Sequence, residues 1–99
     1  MHYILRLYVA GRSQLSQHAI DRMEEICGNH LEGKYELEVI DVLERPDMAE
    51  KDKIMATPTL VRELPPPLRK IIGNLSEEEK VLLGLDLIEA DKLQGEKDA

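Results

Sequence analysis

The chain of 99 residues has no tryptophan and no phenylalanine, and it carries a single cysteine. Without those two large aromatics, the core must be built from Leu, Ile, Val and Met. The lone cysteine, Cys27, excludes an internal disulfide and a CxxC redox pair. The three histidines (His2, His18 and His30) are scattered, with none at ligand spacing to another, so we predict that no metal is bound.

Basic residues and long apolar runs are scarce as well. Lys and Arg number 13 against 20 Asp and Glu, and the net charge of −7 argues against a protein whose main partner is nucleic acid. No apolar run approaches membrane-spanning length and no signal peptide is visible, so we expect a cytoplasmic protein. The glycines are isolated rather than grouped in a phosphate-binding loop, and we expect neither an enzyme nor a cofactor.

The remaining composition, 42% hydrophobic and 33% charged residues, is typical of a soluble globular protein. A chain of this length is enough for one domain but too short for two domains with independent cores. We therefore expect a single domain over residues 1–93, followed by a polar C-terminal tail over residues 94–99.

The first half of the chain has the pattern of a β-α-β unit. Residues 3–10 form an apolar strand with one charge, Arg6, which is typical of an inner strand covered on both faces. Ser13 is the expected N-cap of a helix that reaches about Leu31, and residues 35–43 form the second strand. This spacing predicts parallel strands with a right-handed crossover. The predicted buried stripe of the helix consists of Leu15, Ala19, Ile20, Met23, Ile26 and Cys27.

The second half begins with a short helix and a hairpin. Pro46 suits the first turn of a helix that reaches about Lys53. Residues 57–64 and 68–74 are β-capable and are joined by the run of prolines at 65–67, which predicts an antiparallel hairpin.

The last segment has two competing patterns. Ser76 and Glu79 form a capping box that predicts a helix over residues 76–88. Residues 83–87 alternate like a half-buried strand, and Gly84 weakens a helix by about 1 kcal/mol. The capping box favours the helix. The resulting order, β-α-β-α-β-β-α, predicts an α/β thioredoxin-like domain, and Pro58 is the candidate for the cis proline before its third strand.

Six segments resemble the KaiB family of circadian clock proteins, in the same order and at matching spacing. The resemblance extends over residues 3–88, nearly the whole chain. The segments are residues 8–11, 39–43, 56–60, 64–67, 69–73 and 81–87.

The resemblance implies a protein with two folds. In one, the ground state, the chain is arranged β-α-β-β-α-α-β and forms a tetramer. In the other, a monomer becomes thioredoxin-like and binds a KaiC-type ATPase, sequesters KaiA and competes with SasA, while CikA competes for the same protein. Such a protein is a non-enzymatic regulator of the KaiC phosphorylation cycle. The residues expected to influence the fold switch are Gly84, Asp86, Pro58, Pro65, Pro66 and Pro67. We expect Gly84→Ala and Asp86→Arg to favour the thioredoxin-like monomer, through helix propensity and the helix dipole.

The expected partner surface combines the second strand with the short helix. Its candidate residues are Glu38, Asp41, Arg45, Met48, Lys51 and Lys53. Asp41 could pair locally with Arg45 or meet a partner, and the sequence leaves both possibilities open. Glu38 and His18 stand where the family tends to carry basic residues, whereas Lys53 matches a basic partner-facing position.

Two alternative functions follow. A changed charge alters partner choice more readily than fold, so a divergent family member that acts in stress or other signalling is one alternative. A thioredoxin-like redox protein that uses Cys27 is an alternative of another class.

Overall fold

Seven elements in the order β-α-β-α-β-β-α make up the computed structural model, which describes residues 2–73, 75 and 78–85. They are β1 (Tyr3–Val9), α1 (Gln14–His30), β2 (Tyr35–Asp41), α2 (Pro46–Lys51), β3 (Thr59–Leu64), β4 (Arg69–Ile72) and α3 (Glu78–Gly84). This order confirms the predicted fold class.

The four strands of the described residues form one mixed sheet in the order β2-β1-β3-β4. β1 runs parallel to β2 and antiparallel to β3, and β4 is antiparallel to β3. The parallel pair and the hairpin confirm the predicted strand directions. β2 and β4 are the two edges of the sheet.

The two faces of the sheet are covered differently. Leu5, Leu7 and Val9 of β1 belong to a core cluster with buried side chains of α1 and α3. On the second face, Tyr8 forms a smaller cluster with Ile40 and Val61, and the partly buried Val42, Met48 and Ile54 pack against it. Alternate residues of β1 therefore enter two separate cores, as expected for an inner strand.

α1 begins as predicted, with the Ser13 hydroxyl accepting a hydrogen bond from the Ser16 amide at 3.1 Å. Ala19, Met23, Ile26 and Cys27 are buried, but the prediction that Leu15 belongs to the buried stripe is wrong, because 63% of it is exposed. Ser16 takes the inward position in that turn, and its hydroxyl donates to the Ala10 carbonyl at 3.2 Å.

Two elements end earlier than predicted. β2 stops at Asp41 rather than residue 43, because the Asp41 carboxylate accepts the Leu43 amide at 2.9 Å and turns the chain. α2 stops at Lys51 rather than near Lys53, whose backbone has a φ of 55°, in the left-handed region that no helix interior allows.

The hairpin region contains three cis prolines among the described residues. The Thr57–Pro58, Leu64–Pro65 and Pro66–Pro67 bonds are cis, as predicted for Pro58. Arg62 of β3 is only 2% exposed, and its guanidinium donates to the carbonyl oxygens of Pro67 at 2.9 Å and Leu85 at 2.6 Å. The side chain thus joins the proline turn to the C-terminal end of α3.

α3 shows that the helical pattern prevails over the strand pattern in the last described segment. Leu83 and Gly84 lie within the helix, and Val81, Leu82 and Leu85 are buried in the first core cluster. Ser76 of the predicted capping box, Asp86 and the predicted tail at 94–99 lie outside the described residues. A Cβ placed on Gly84 would come within 2.8 Å of the Ile71 Cδ1 atom, so β4 and α3 approach closely at this glycine.

Candidate partner-binding surface

Four of the six predicted partner residues lie exposed along β2, α2 and the residues around them: Glu38, Arg45, Lys51 and Lys53. Arg45 forms a surface ion pair with Asp47, with Nη2 lying 3.1 Å from Oδ2. This pair raises the pKa of Arg45 and lowers that of Asp47. The local ion pair considered between Asp41 and Arg45 is therefore replaced by one between Arg45 and Asp47.

The other two predicted residues have structural contacts. The Asp41 Oδ1 atom accepts the backbone amides of Gly11 and Leu43, each at 2.9 Å. These bonds lower the pKa of Asp41, so at neutral pH its carboxylate is ionised and joins the turns that follow β1 and β2. Met48 is half-buried against the second core cluster.

Three apolar side chains missed by the sequence analysis are exposed near the C-terminal ends of β1 and β2. Leu15 is 63% exposed, Leu43 is 72% and Met55 is 93%. Thr57 lines two shallow depressions, one shared with Leu15 and the other with Met55. We call Leu15, Leu43 and Met55 the end patch. For Leu43 and Met55 the available signal was their position between elements, where turns are normally polar.

A cluster of buried polar groups fastens the end of α2 to the second face of the sheet. Asp52, directly after α2, is 8% exposed. Its carboxylate accepts hydrogen bonds from the Tyr8 hydroxyl and from Arg6 Nε, the latter at 2.9 Å. Arg6 Nη1 also donates to Glu63 Oε2 at 2.7 Å, and Lys70 Nζ donates to the Asp52 backbone oxygen. We call Arg6, Tyr8, Asp52, Glu63 and Lys70 the Asp52 cluster.

Asp52, Tyr8 and Arg6 each keep one protonation state at neutral pH. Burial alone would raise the pKa of Asp52, but the hydrogen bonds from Tyr8 and Arg6 outweigh it and lower the pKa. Burial, together with the Asp52 carboxylate, raises the pKa of Tyr8 to about 12. Burial opposes the charge of Arg6, yet its bonds to Asp52 and Glu63 prevail and raise its pKa. Arg6 was the available sequence signal, since a charge in an inner strand needs a buried partner.

The burial of Cys27 bears on the redox alternative. Cys27 is buried in the first core cluster, and burial raises the pKa of its thiol to about 11, so it stays protonated at neutral pH. Residues 2–73, 75 and 78–85 contain no group of three His, Cys, Asp or Glu side chains placed to hold a metal ion. None of the described helices is long and apolar enough to cross a membrane.

A family model described as the KaiB domain matches residues 6–87. The chain belongs to the KaiB family. It is 58% identical over 86 residues to the circadian clock oscillator protein KaiB of Prochlorococcus marinus subsp. pastoris, which covers 87% of this chain and 80% of the relative. The family resemblance inferred from the six segments is thereby confirmed.

Solved structures place this KaiB-family chain among thioredoxin-like folds. The N-terminal domain of SasA from Synechococcus elongatus matches with a TM-score of 0.72 and 26% identity, covering 91% of this chain and 89% of that domain. The thioredoxin Deadhead of Drosophila melanogaster matches with a TM-score of 0.69 and 17% identity, covering 88% and 82%. The KaiB family and the SasA-like fold support a role as a circadian clock regulator. The fold-switch roles of Pro58, Gly84, Asp86 and the prolines at 65–67 stay predictions.

Proposed function

We propose that this protein is a non-enzymatic clock regulator that binds a KaiC-type ATPase in its thioredoxin-like state. The observation that carries the proposal is the exposure of Met55, an apolar side chain that is 93% accessible, two residues after the exposed cation Lys53. An apolar centre with a charged rim is typical of a protein-binding surface. Leu43 of the end patch and Lys51 of α2 are exposed as well.

The edge strand β2 provides a second means of binding. Among the described strands it pairs with β1 alone, so one row of its backbone amides and carbonyls faces outward. Such an edge accepts a strand from a partner's sheet. The exposed Glu36 and Glu38 carry like charges, which discourages pairing between two copies of this edge.

The likeness to the SasA domain supports the competitive part of the proposal. Two proteins of one fold that present related surfaces can exclude each other from one site on an ATPase. We therefore include competition with SasA, sequestration of KaiA in the resulting complex and competition by CikA, which together modulate the phosphorylation cycle. A fold switch to a tetramer would weaken apparent binding, because the apparent association constant is the intrinsic one multiplied by the fraction of chains that remain competent monomers.

Binding to immobilised Synechococcus elongatus KaiC, measured by biolayer interferometry, tests the proposal. Lys53→Glu should weaken binding about tenfold or more, because it reverses a charge at the rim of the surface. Lys34→Glu makes the same charge reversal in the loop before the N-terminal end of β2, whereas Lys53 follows the C-terminal end. This variant should bind KaiC like the wild type. Met55→Ser should weaken binding, whereas Leu68→Ser in the proline turn should not.

The same assay separates the clock regulator that binds a KaiC-type ATPase from the divergent family member that acts in stress or other signalling. Added SasA N-terminal domain should reduce the binding signal, and Glu38→Lys, which restores the family's charge, should increase affinity. A wild-type chain that fails to bind KaiC would refute the proposal and favour the divergent signalling role. If Lys53→Glu and Lys34→Glu weakened KaiC binding equally, the proposed location of the binding surface would be wrong.

A further inference from the structure

α2 is too short and too sparsely buried to hold its own position. It has six residues, none of them buried, and its N-cap residue, Arg45, makes no side-chain capping bond. Helices of this length are not stable alone in water, so tertiary contacts must order it. Met48 supplies one such contact, against the cluster of Tyr8, Ile40 and Val61.

Asp52 supplies a stronger attachment at the opposite end of the helix. Its side chain accepts from Tyr8 and Arg6 of β1, and its backbone oxygen accepts from Lys70 of β4. The Tyr8 hydroxyl also lies 3.3 Å from the Met48 carbonyl oxygen, inside α2 itself. One residue thus connects the end of the helix to strands on both sides of β3.

The attachment also sets the direction of the neighbouring cations. Asp52 points inward and is buried, while Lys51 and Lys53 on either side of it are exposed. The left-handed backbone of Lys53, with a φ of 55°, ends the helical path two residues before Met55. Without the bonds to Asp52, the end of the helix could rotate, and Lys51 and Lys53 would no longer be held outward. The loop that follows them would move as well.

The charges leave the cluster little freedom to rearrange. The side chains of Arg6 and Asp52 are 11% and 7% exposed, so each would be a buried, uncompensated charge without the other. Tyr8 is fully buried, and its hydroxyl has Asp52 as its acceptor. Glu63, about half exposed, satisfies the second side of the Arg6 guanidinium.

We propose that Asp52, held by Arg6 and Tyr8, is a positioning residue for the partner surface: it fixes α2, Lys51, Lys53 and Met55 over the sheet in the arrangement that binds the ATPase. This inference rests on the proposed function. Asp52, Arg6 and Tyr8 are all buried, so these three residues act through the surface residues and do not touch the partner.

Tyr8→Phe is the mildest test, because it removes one hydroxyl and keeps the ring in the second core cluster. Backbone amides of residues 52–54, which bond to carbonyls of α2, should exchange with deuterium about tenfold faster, a larger change than for the amides of β1 and β3. Affinity for immobilised KaiC should fall about tenfold, through the smaller fraction of correctly placed α2. Asp52→Asn, which keeps an acceptor for Tyr8, should give a smaller loss than Asp52→Ala.

Tyr3→Phe is the matched control, since it removes a hydroxyl from the same strand on the side of the first core cluster. This variant should leave the amide exchange of residues 52–54 and the affinity for immobilised KaiC at their wild-type values. Faster exchange spread evenly over all elements would refute positioning and leave only a general stabilising role. Unchanged affinity of Tyr8→Phe beside a wild type that binds would refute the inference and leave the proposed function standing. A wild type that does not bind would refute the proposed function, and the positioning role with it.

Discussion

The two faces of the sheet achieve stability by different means. The first face is a dry core in which Leu5, Leu7 and Val9 meet apolar side chains of α1 and α3. The second face combines a small apolar cluster around Tyr8 with the ionised Asp52 cluster beneath α2. Apolar burial is non-directional and holds helices firmly, whereas hydrogen-bonded charges fix one orientation. The face that carries the proposed partner surface is the one with directional bonds.

The largest expected effects compare the two faces directly. Arg6→Met should destabilise the protein by about 3 kcal/mol, because the Asp52 carboxylate stays buried without its cation. Adding Asp52→Leu should recover part of that loss, since two apolar side chains replace the charged pair while the Tyr8 hydroxyl keeps the Met48 carbonyl oxygen as an acceptor. Leu7→Ala on the first face should cost about 3 kcal/mol through an unfilled cavity. Urea unfolding measures all of these variants.

The control for that comparison is a second substitution on the first face. Leu60 is the register partner of Leu7 and is equally buried, so Leu7→Ala with Leu60→Ala should lose stability further rather than recover it. If Arg6→Met with Asp52→Leu were as unstable as Arg6→Met alone, the distinction between the two faces would be wrong.

Stability should depend on pH through the second face. The folded state lowers the pKa of Asp52, so its contribution is present above about pH 4 and is lost as pH falls through the folded-state pKa. The pKa of Tyr8 is raised from 10.0 to about 12, so its contribution is present below pH 10 and is lost as pH rises toward 12.

Tyr8→Phe isolates the alkaline part of this dependence. Between pH 10 and about pH 12, the wild type should lose about 2 kcal/mol more stability than the variant, as measured by urea unfolding. Parallel alkaline profiles for the two proteins would contradict the assignment of this loss to Tyr8.

The smallest effects concern two helical glycines. Gly28→Ala in α1 should stabilise the protein by about 0.5–1 kcal/mol, because a Cβ there meets nothing within 4 Å. Gly84→Ala gains the same helix propensity, but its Cβ must displace the Ile71 side chain, 2.8 Å away, so the net gain should be smaller. A larger thermal stabilisation from Gly84→Ala than from Gly28→Ala would show that Ile71 yields without cost.

Local patterns predicted the fold well where backbone preference and apolar period agree. The Ser13 cap, the parallel β1–β2 pair and the proline-joined hairpin all follow from adjacent residues or from regular spacing. The prediction that Leu15 is buried was wrong, because the apolar period of a helix does not reveal where the sheet beneath the helix ends. β2 ended early because of a side-chain bond from Asp41 that periodicity does not encode.

The candidate surface was predictable only in part. Exposed charges such as Arg45 and Lys51 follow from their polarity, and Lys53 followed from the family resemblance. Asp52 did not, because its role depends on Arg6, 46 positions earlier in the chain. A contact between residues so distant in sequence appears only once the strands are assembled.

Arg62 makes the last helix and the proline turn mutually dependent. Its buried guanidinium donates to the carbonyl oxygens of Pro67 and Leu85, so departure of α3 would remove one acceptor of a buried cation beside β3. Partial detachment of the helix is therefore disfavoured relative to release of the hairpin and helix together. The two bonds of Arg62 therefore couple the opening of α3 to that of the hairpin.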